Sequence, residues 1–191
     1  MKNKCKVRLG FFAALMLVCI FISSPKYFPA LICSVTIHEL GHVFAAKFRK
    51  IALYELRLGI FGAALAPKST LYSYADEIIL CLGGPLFNLL SAFAASRLLS
   101  GVDMFIMSSL ALGSLNLLPI IGFDGGRIFS SVLCMLFSPR TAERILKMIS
   151  FIFIFILWSF SLYLLIRTGA SLTAFVFSVS LFAKIFLPQA T

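Results

Sequence analysis

Apolar residues in this chain come in long blocks rather than at helical or strand spacing. The blocks fall near residues 9–24, 28–46, 78–99, 102–121, 146–166 and 170–187, divided by short polar or basic connections. A helix crossing the hydrocarbon core of a bilayer needs about 20 mostly apolar residues. The pattern therefore predicts an all-α polytopic membrane protein with about six transmembrane helices. Little chain is left over for a soluble domain, so residues 1–191 read as a single membrane-embedded domain. The first block is short and follows the basic start MKNKCKVRLG. No small-x-small cleavage site follows it, so an anchor is expected rather than a removed leader.

One connection breaks the block pattern. Within residues 47–77, Leu56, Leu58 and Ile60 alternate with Arg57 and Gly59, and Gly62 and Pro67 follow. Period-two spacing with glycines predicts a short β-hairpin over about 51–66, lying at the membrane or dipping into it. Non-helical backbone at that depth is tolerated only against protein or water, so the hairpin should border a wet cavity. Residues 122–145 form the other sizeable connection, with Ser138-Pro139-Arg140 as a turn.

Composition agrees with the pattern. The chain is 61% hydrophobic and 13% charged, whereas a soluble domain has roughly 45–50% apolar residues, so the protein is integral to a membrane. A net charge of +10 raises nucleic acid as a partner, but the placement of the basic residues excludes it. With the N-terminus in the cytoplasm, fourteen of the 17 Lys and Arg fall on the cytoplasmic side, leaving Lys26, Arg97 and Arg167 opposite. That bias puts both termini in the cytoplasm, and attraction to anionic lipid accounts for the rest of the charge. A bacterial cell membrane is the expected location. Cys5, Cys19, Cys33, Cys81 and Cys134 show no disulfide or zinc spacing and read as small buried apolar residues.

The second block carries the candidate chemistry. Its centre reads His38-Glu39-Leu40-Gly41-His42, and these are the only two histidines in the chain. Positions i and i+4 share a helix face, so His38 and His42 can hold one metal ion between them. Zinc suits two imidazoles, and Glu39 beside them can take a proton from the attacking water. The bland alternative is a pair of core histidines satisfied by their neighbours. Against it, an ionisable group within a membrane span costs at least ~2.5 kcal/mol and is usually functional.

A catalytic zinc takes three protein ligands and keeps one position open. No third histidine exists, so the remaining ligand is a carboxylate or a cysteine. Of Glu55, Asp76, Glu77, Asp103, Asp124 and Glu143, Asp124 sits at a depth comparable with His42, closing the fourth block in NLLPIIGFDGG. Pro119, Gly122, Gly125 and Gly126 loosen the chain there and would let Asp124 turn inward. The bland alternative makes Asp124 a solvated turn residue. Asn88, in the stretch GGPLFN, could line the site or simply satisfy a carbonyl freed where Gly83, Gly84 and Pro85 kink the third block.

Taken together, HELGH in one span, Asn116-Leu-Leu-Pro119 leading to Asp124-Gly125, and Gly83 to Asn88 between them resemble the site-2 protease family of intramembrane zinc metalloproteases. The motifs cover about residues 28–127, a three-helix catalytic core. The resemblance implies His38, His42 and Asp124 as ligands of one Zn2+, Glu39 as the catalytic acid and base, and Asn88 and Asn116 as substrate-binding residues. It also implies that 51–66 is a membrane re-entrant hairpin. The implied partners are a membrane-spanning or membrane-attached protein substrate, the lipid bilayer and a regulatory membrane protein. The plan is most similar to the group containing the sporulation protease that cuts a membrane-bound sigma-factor precursor. The CBS domain common in that group and the PDZ domains of another branch are not expected in residues 1–191. The rival reading is a non-catalytic metal-binding membrane protein or metal transporter, in which Glu39 would be dispensable.

Overall fold

The computed structural model describes residues 6–9, 26, 28–51, 53–59, 62–67, 73–98 and 100–168. In chain order its elements are β1 (Lys6–Leu9), α1 (Phe28–Phe48), β2 (Leu53–Gly59), β3 (Gly62–Pro67), α2 (Tyr74–Leu98), α3 (Asp103–Asn116), α4 (Asp124–Leu136) and α5 (Pro139–Thr168).

Local sequence sets the ends of these helices. α1 stops in a C-terminal wrap: Lys50 takes φ +56, its N–H bonds to the Lys47 carbonyl at 3.1 Å, and the Ile51 N–H returns to the Ala46 carbonyl at 2.9 Å. This is the Schellman arrangement, and Ile51 closes it by packing on Ala45, Ala46 and Leu80. α2 begins in a reciprocal cap: the Asp76 N–H donates to Ser73 Oγ and the Ser73 N–H donates to Asp76 Oδ2, both at 3.2 Å. Arg49 then bonds Asp76 at 2.6 Å, tying the end of α1 to the start of α2. Ser138 caps α5, whose first residue is Pro139, where a missing N–H costs nothing.

α2 is the hub, with α1, α3 and α4 all packed on it. Its contact with α1 is made by glycine: a Cβ on Gly41 would run into the Gly83 carbonyl, and one on Gly83 would lie 2.5 Å from the Gly41 carbonyl oxygen. Small residues let helix backbones approach in this way, as membrane helices require. A buried hydrogen bond of 2.8 Å between Ser34 and Ser109 joins α1 to α3. α5 packs on α4 and backs the turn ahead of it. There Ile154 meets Ile120 and Phe123, and the buried Ser150 hydroxyl accepts the Ile121 N–H at 3.0 Å while donating to the Pro119 carbonyl at 3.3 Å.

The outward faces are apolar. Phe44, Leu90, Phe93, Phe151, Ile156 and Phe160 are all exposed, which water would penalise and hydrocarbon would not. α1, α2 and the stretch Pro139–Arg167 are long and apolar enough to cross a membrane. The protein is a helical membrane protein.

The fourth apolar block differs from expectation. In place of one span over 102–121, the helix runs only over Asp103–Asn116, 14 residues. Pro119 disfavours helix at the residue before it, and Gly122 adopts φ +98, so the chain turns over 117–123. Asp124 consequently opens a new helix instead of closing the old one, and residues expected as connection form α4. The blocks at 9–24 and 170–187 lie outside the described residues, apart from the strand residue Leu9. Cys81 is buried but Cys33 is exposed, against the expectation of a uniformly buried set.

β2 and β3 pair antiparallel, from Leu53 with Pro67 to Gly59 with Gly62, with an irregularity between Leu53 and Glu55. β1 lies parallel to β2, pairing Lys6 with Glu55 through Leu9 with Leu58. The sheet order is β1-β2-β3, which leaves β2 in the centre.

Candidate metal centre

Two helices and one turn bring the candidate ligands together. His38 and His42 stand one turn apart on the buried face of α1. Asp124 is delivered by the 117–123 turn, and the two glycines after it make that delivery possible: a Cβ on Gly125 would collide with the Leu117 carbonyl, and one on Gly126 with the Ile120 carbonyl. Only glycine lets the first turn of α4 fold back so closely.

All three side chains are buried. His38 Nε2 lies 3.0 Å from Asp124 Oδ2, His42 Nε2 lies 3.3 Å from the same oxygen, and the two Nε2 atoms are 3.2 Å apart. Three donors at about 2.0–2.1 Å from one tetrahedral ion would be about 3.3–3.4 Å from each other, so the triangle fits zinc closely. The donor chemistry fits as well. His42 Nδ1–H donates to the Leu80 carbonyl at 2.8 Å, which leaves its Nε2 lone pair facing the triangle. His38, His42 and Asp124 thus form a group that could hold a metal ion.

α2 supplies the wall of this site with a single face. Leu80, Gly84 and Asn88 follow one another at i, i+4 and i+8. The Leu80 carbonyl holds His42, and Asn88 Nδ2 lies 3.2 Å from His38 Nδ1. Between them Gly84 keeps space open, since a Cβ there would stand 2.5 Å from His42 Nε2 and 2.7 Å from His38 Nε2. Sequence reasoning missed Leu80, because its contribution is a backbone carbonyl. It missed Gly84 as an individual because GGP reads as a kink.

Glu39 follows His38 on α1 and is half-buried. Asn116 is the last residue of α3 and is buried. Asn88 is fully buried against His38. Of the other acidic residues weighed as ligands, Asp76 and Glu77 pair with Arg49 and Arg127, and Glu143 pairs with Lys147.

Residues 91–160 match peptidase family M50, a stretch that contains Asn116 and Asp124. Over 97% of its length the chain superimposes on the site-2 protease from Methanocaldococcus jannaschii, covering 93% of that chain, with a TM-score of 0.66 and 19% sequence identity. The chain has the site-2 protease fold. Sequence comparison points the same way: a zinc metalloprotease of Methanocaldococcus jannaschii is 30% identical over 117 residues, 56% of this chain. The chain spans about a third of that relative's length, 34%. The site-2 protease fold accounts for the hub position of α2, which must touch both the helix bearing the histidines and the turn bearing the aspartate.

Proposed function

We propose that the protein is an intramembrane zinc endopeptidase that cuts membrane-spanning or membrane-attached proteins near the cytoplasmic side of the bilayer. The observation that carries this reading is the triangle of His38, His42 and Asp124, its two histidines on a helix long and apolar enough to cross a membrane, with Glu39 next to its first member. Zinc held there supplies Lewis-acid polarisation of the scissile carbonyl and makes water acidic enough to lose a proton near neutral pH. Glu39 accepts the proton of the attacking water and returns it to the leaving amine as the peptide C–N bond breaks. Asn116 offers its amide to the substrate backbone or to the developing oxyanion.

The ion pairs support a shallow depth for the site. Arg49–Asp76 and Arg127–Glu77 gather at one end of the bundle, where charged groups meet water and headgroups. Gly84, beside the triangle, lies seven residues below Glu77 on α2, about 10 Å at 1.5 Å per residue. On the positive-inside reading this end is cytoplasmic.

The hairpin of β2 and β3 joins α1 to α2 at this same end, and β3 packs on α1. We read it as re-entrant, bordering the path by which water reaches the site. In the order β1-β2-β3 the outer edges of β1 and β3 are both open among the described residues, and β3 is the edge strand that packs on α1. A substrate helix that unwinds could pair there, which would satisfy its backbone and hold it extended.

Substrates trapped on a Glu39→Gln variant and identified by mass spectrometry, then cut by the wild-type protein, test the reading. The cut should map to the cytoplasmic half of the substrate's span. A cut in the opposite half, or in a soluble domain, contradicts it.

A further inference from the structure

We propose that Asn88 is a positioning residue whose side-chain oxygen accepts the Nδ1–H of His38 and so fixes the tautomer that presents Nε2 to the metal. The inference rests on His38 being a zinc ligand, and goes beyond it by assigning Asn88 to the ligand instead of to the substrate.

Three observations support it. Asn88 is 0% exposed, so its side chain has no free surface to offer a substrate. Its amide lies 3.2 Å from His38 Nδ1, the ring nitrogen opposite the one in the triangle. As placed, Nδ2 faces that nitrogen and Oδ1 is buried with no hydrogen-bond partner among the described residues.

The chemistry of the site decides which way the amide points. An imidazole that ligates through Nε2 carries its proton on Nδ1, and that N–H needs an acceptor. Amide oxygen and nitrogen differ little in shape, so their placement follows the hydrogen bonds they make. Turning the amide through about 180° brings Oδ1 onto the Nδ1–H and gives the orphaned oxygen its donor. With Nδ2 facing the ring, Nδ1 would have to accept and Nε2 would carry the proton, closing it to a metal.

His42 provides an internal parallel. Its Nδ1–H already donates to the Leu80 carbonyl, eight residues before Asn88 on the same face of α2. One helix therefore sets both histidine tautomers, the first through a backbone oxygen and the second through an amide oxygen. Asn88 also fits the space between α2 and α3, since its Cβ lies 3.3 Å from where a Cβ on Gly113 would stand. Rotation of the terminal amide leaves that packing undisturbed.

The test is metal affinity of the full chain in detergent, with Co2+ as a spectroscopic probe and Zn2+ in competition. Asn88→Leu removes the acceptor and should weaken both metals by about 10–100-fold, with a changed Co2+ ligand-field spectrum. Asn88→Asp keeps an oxygen at the same place and should bind within about threefold of the parent or more tightly, because a carboxylate is the stronger acceptor. Thermal stability of the metal-free forms shows whether each variant folds. If Asn88→Leu does not fold, the aspartate variant decides. Affinity near the parent supports the proposal, and a loss of tenfold or more overturns it. A folded Asn88→Leu with parental affinity and spectrum also overturns it. His38→Ala separates the two ideas: retained affinity there defeats the ligand assignment itself, whereas lost affinity beside an unaffected Asn88→Leu defeats only the role given to Asn88.

Discussion

The backbones of Gly41 and Gly83 touch, with no room for a Cβ on either residue. Gly41 precedes His42 directly, and Gly83 precedes Gly84 on the face of α2 that carries Leu80 and Asn88. The contact therefore sets the distance over which α2 reaches the two histidines. Gly41→Ala and Gly83→Ala should each force the helices apart and cost about 1–3 kcal/mol as overpacking. Both should lower zinc content. Leu40→Ala, on an exposed position of α1, is the control. Thermal unfolding in detergent with metal analysis of the same samples checks this, and wild-type zinc content in both glycine variants would contradict it.

A second constraint comes from Arg127, whose Nε and Nη2 lie 2.7 and 2.6 Å from Glu77 Oε1, with Cys81 Sγ at 3.8 Å from the same oxygen. The pair pins the first turn of α4 to the start of α2, one turn after Asp124. It is partly exposed, so breaking it should cost between the roughly 1 kcal/mol of a surface pair and the about 3–5 kcal/mol of a fully buried one. Arg127→Met and Glu77→Gln should weaken zinc binding without touching a ligand. A double-mutant cycle measures the coupling, and additive losses would show that the pair does not act as a unit.

The candidate ligands and Glu39 are visible in the sequence for a physical reason. Two histidines and a carboxylate inside an apolar block carry a cost that packing does not explain, so His38, Glu39 and His42 stood out. The alternation in 51–66 was readable because β2 and β3 keep period-two spacing. The fourth block was misread because apolarity continues through Leu117, Leu118, Ile120 and Ile121 after the helix has ended. The break is made by backbone conformation at Pro119 and Gly122 and is stabilised by Ser150, far away in sequence. The role of Leu80 was hidden because any residue has a carbonyl, and the parallel β1–β2 pairing joins segments too distant for a local pattern to link.

The proposed cytoplasmic placement carries its own prediction. A reporter fused after Thr191, or a cysteine label placed at residues 138–140 between α4 and α5, should read cytoplasmic. Labelling of that turn by an impermeant reagent from outside intact cells would reverse the topology.

A substrate helix must open before its carbonyl can be attacked, because helical hydrogen bonds and side chains shield it. Glycine, proline or asparagine near the scissile bond should speed cutting. Replacing them with leucine should slow it while leaving binding largely intact. Gly59→Pro, at the last pair of the β2–β3 ladder, should impair cutting without removing zinc. Cleavage of an all-leucine span at an undiminished rate would defeat this account.

One buried triangle is proposed to hold zinc while the glutamate beside it moves the proton. The most direct measurement takes wild type, Glu39→Gln and Asp124→Ala, purified in parallel, and records zinc per chain and peptide hydrolysis on the same samples. Wild type should hold about one zinc and cut. Glu39→Gln should hold the same zinc and lose hydrolysis by several orders of magnitude, because its amide cannot accept the proton. Asp124→Ala should lose both. Hydrolysis persisting in Glu39→Gln, or full zinc and activity in Asp124→Ala, would contradict the account.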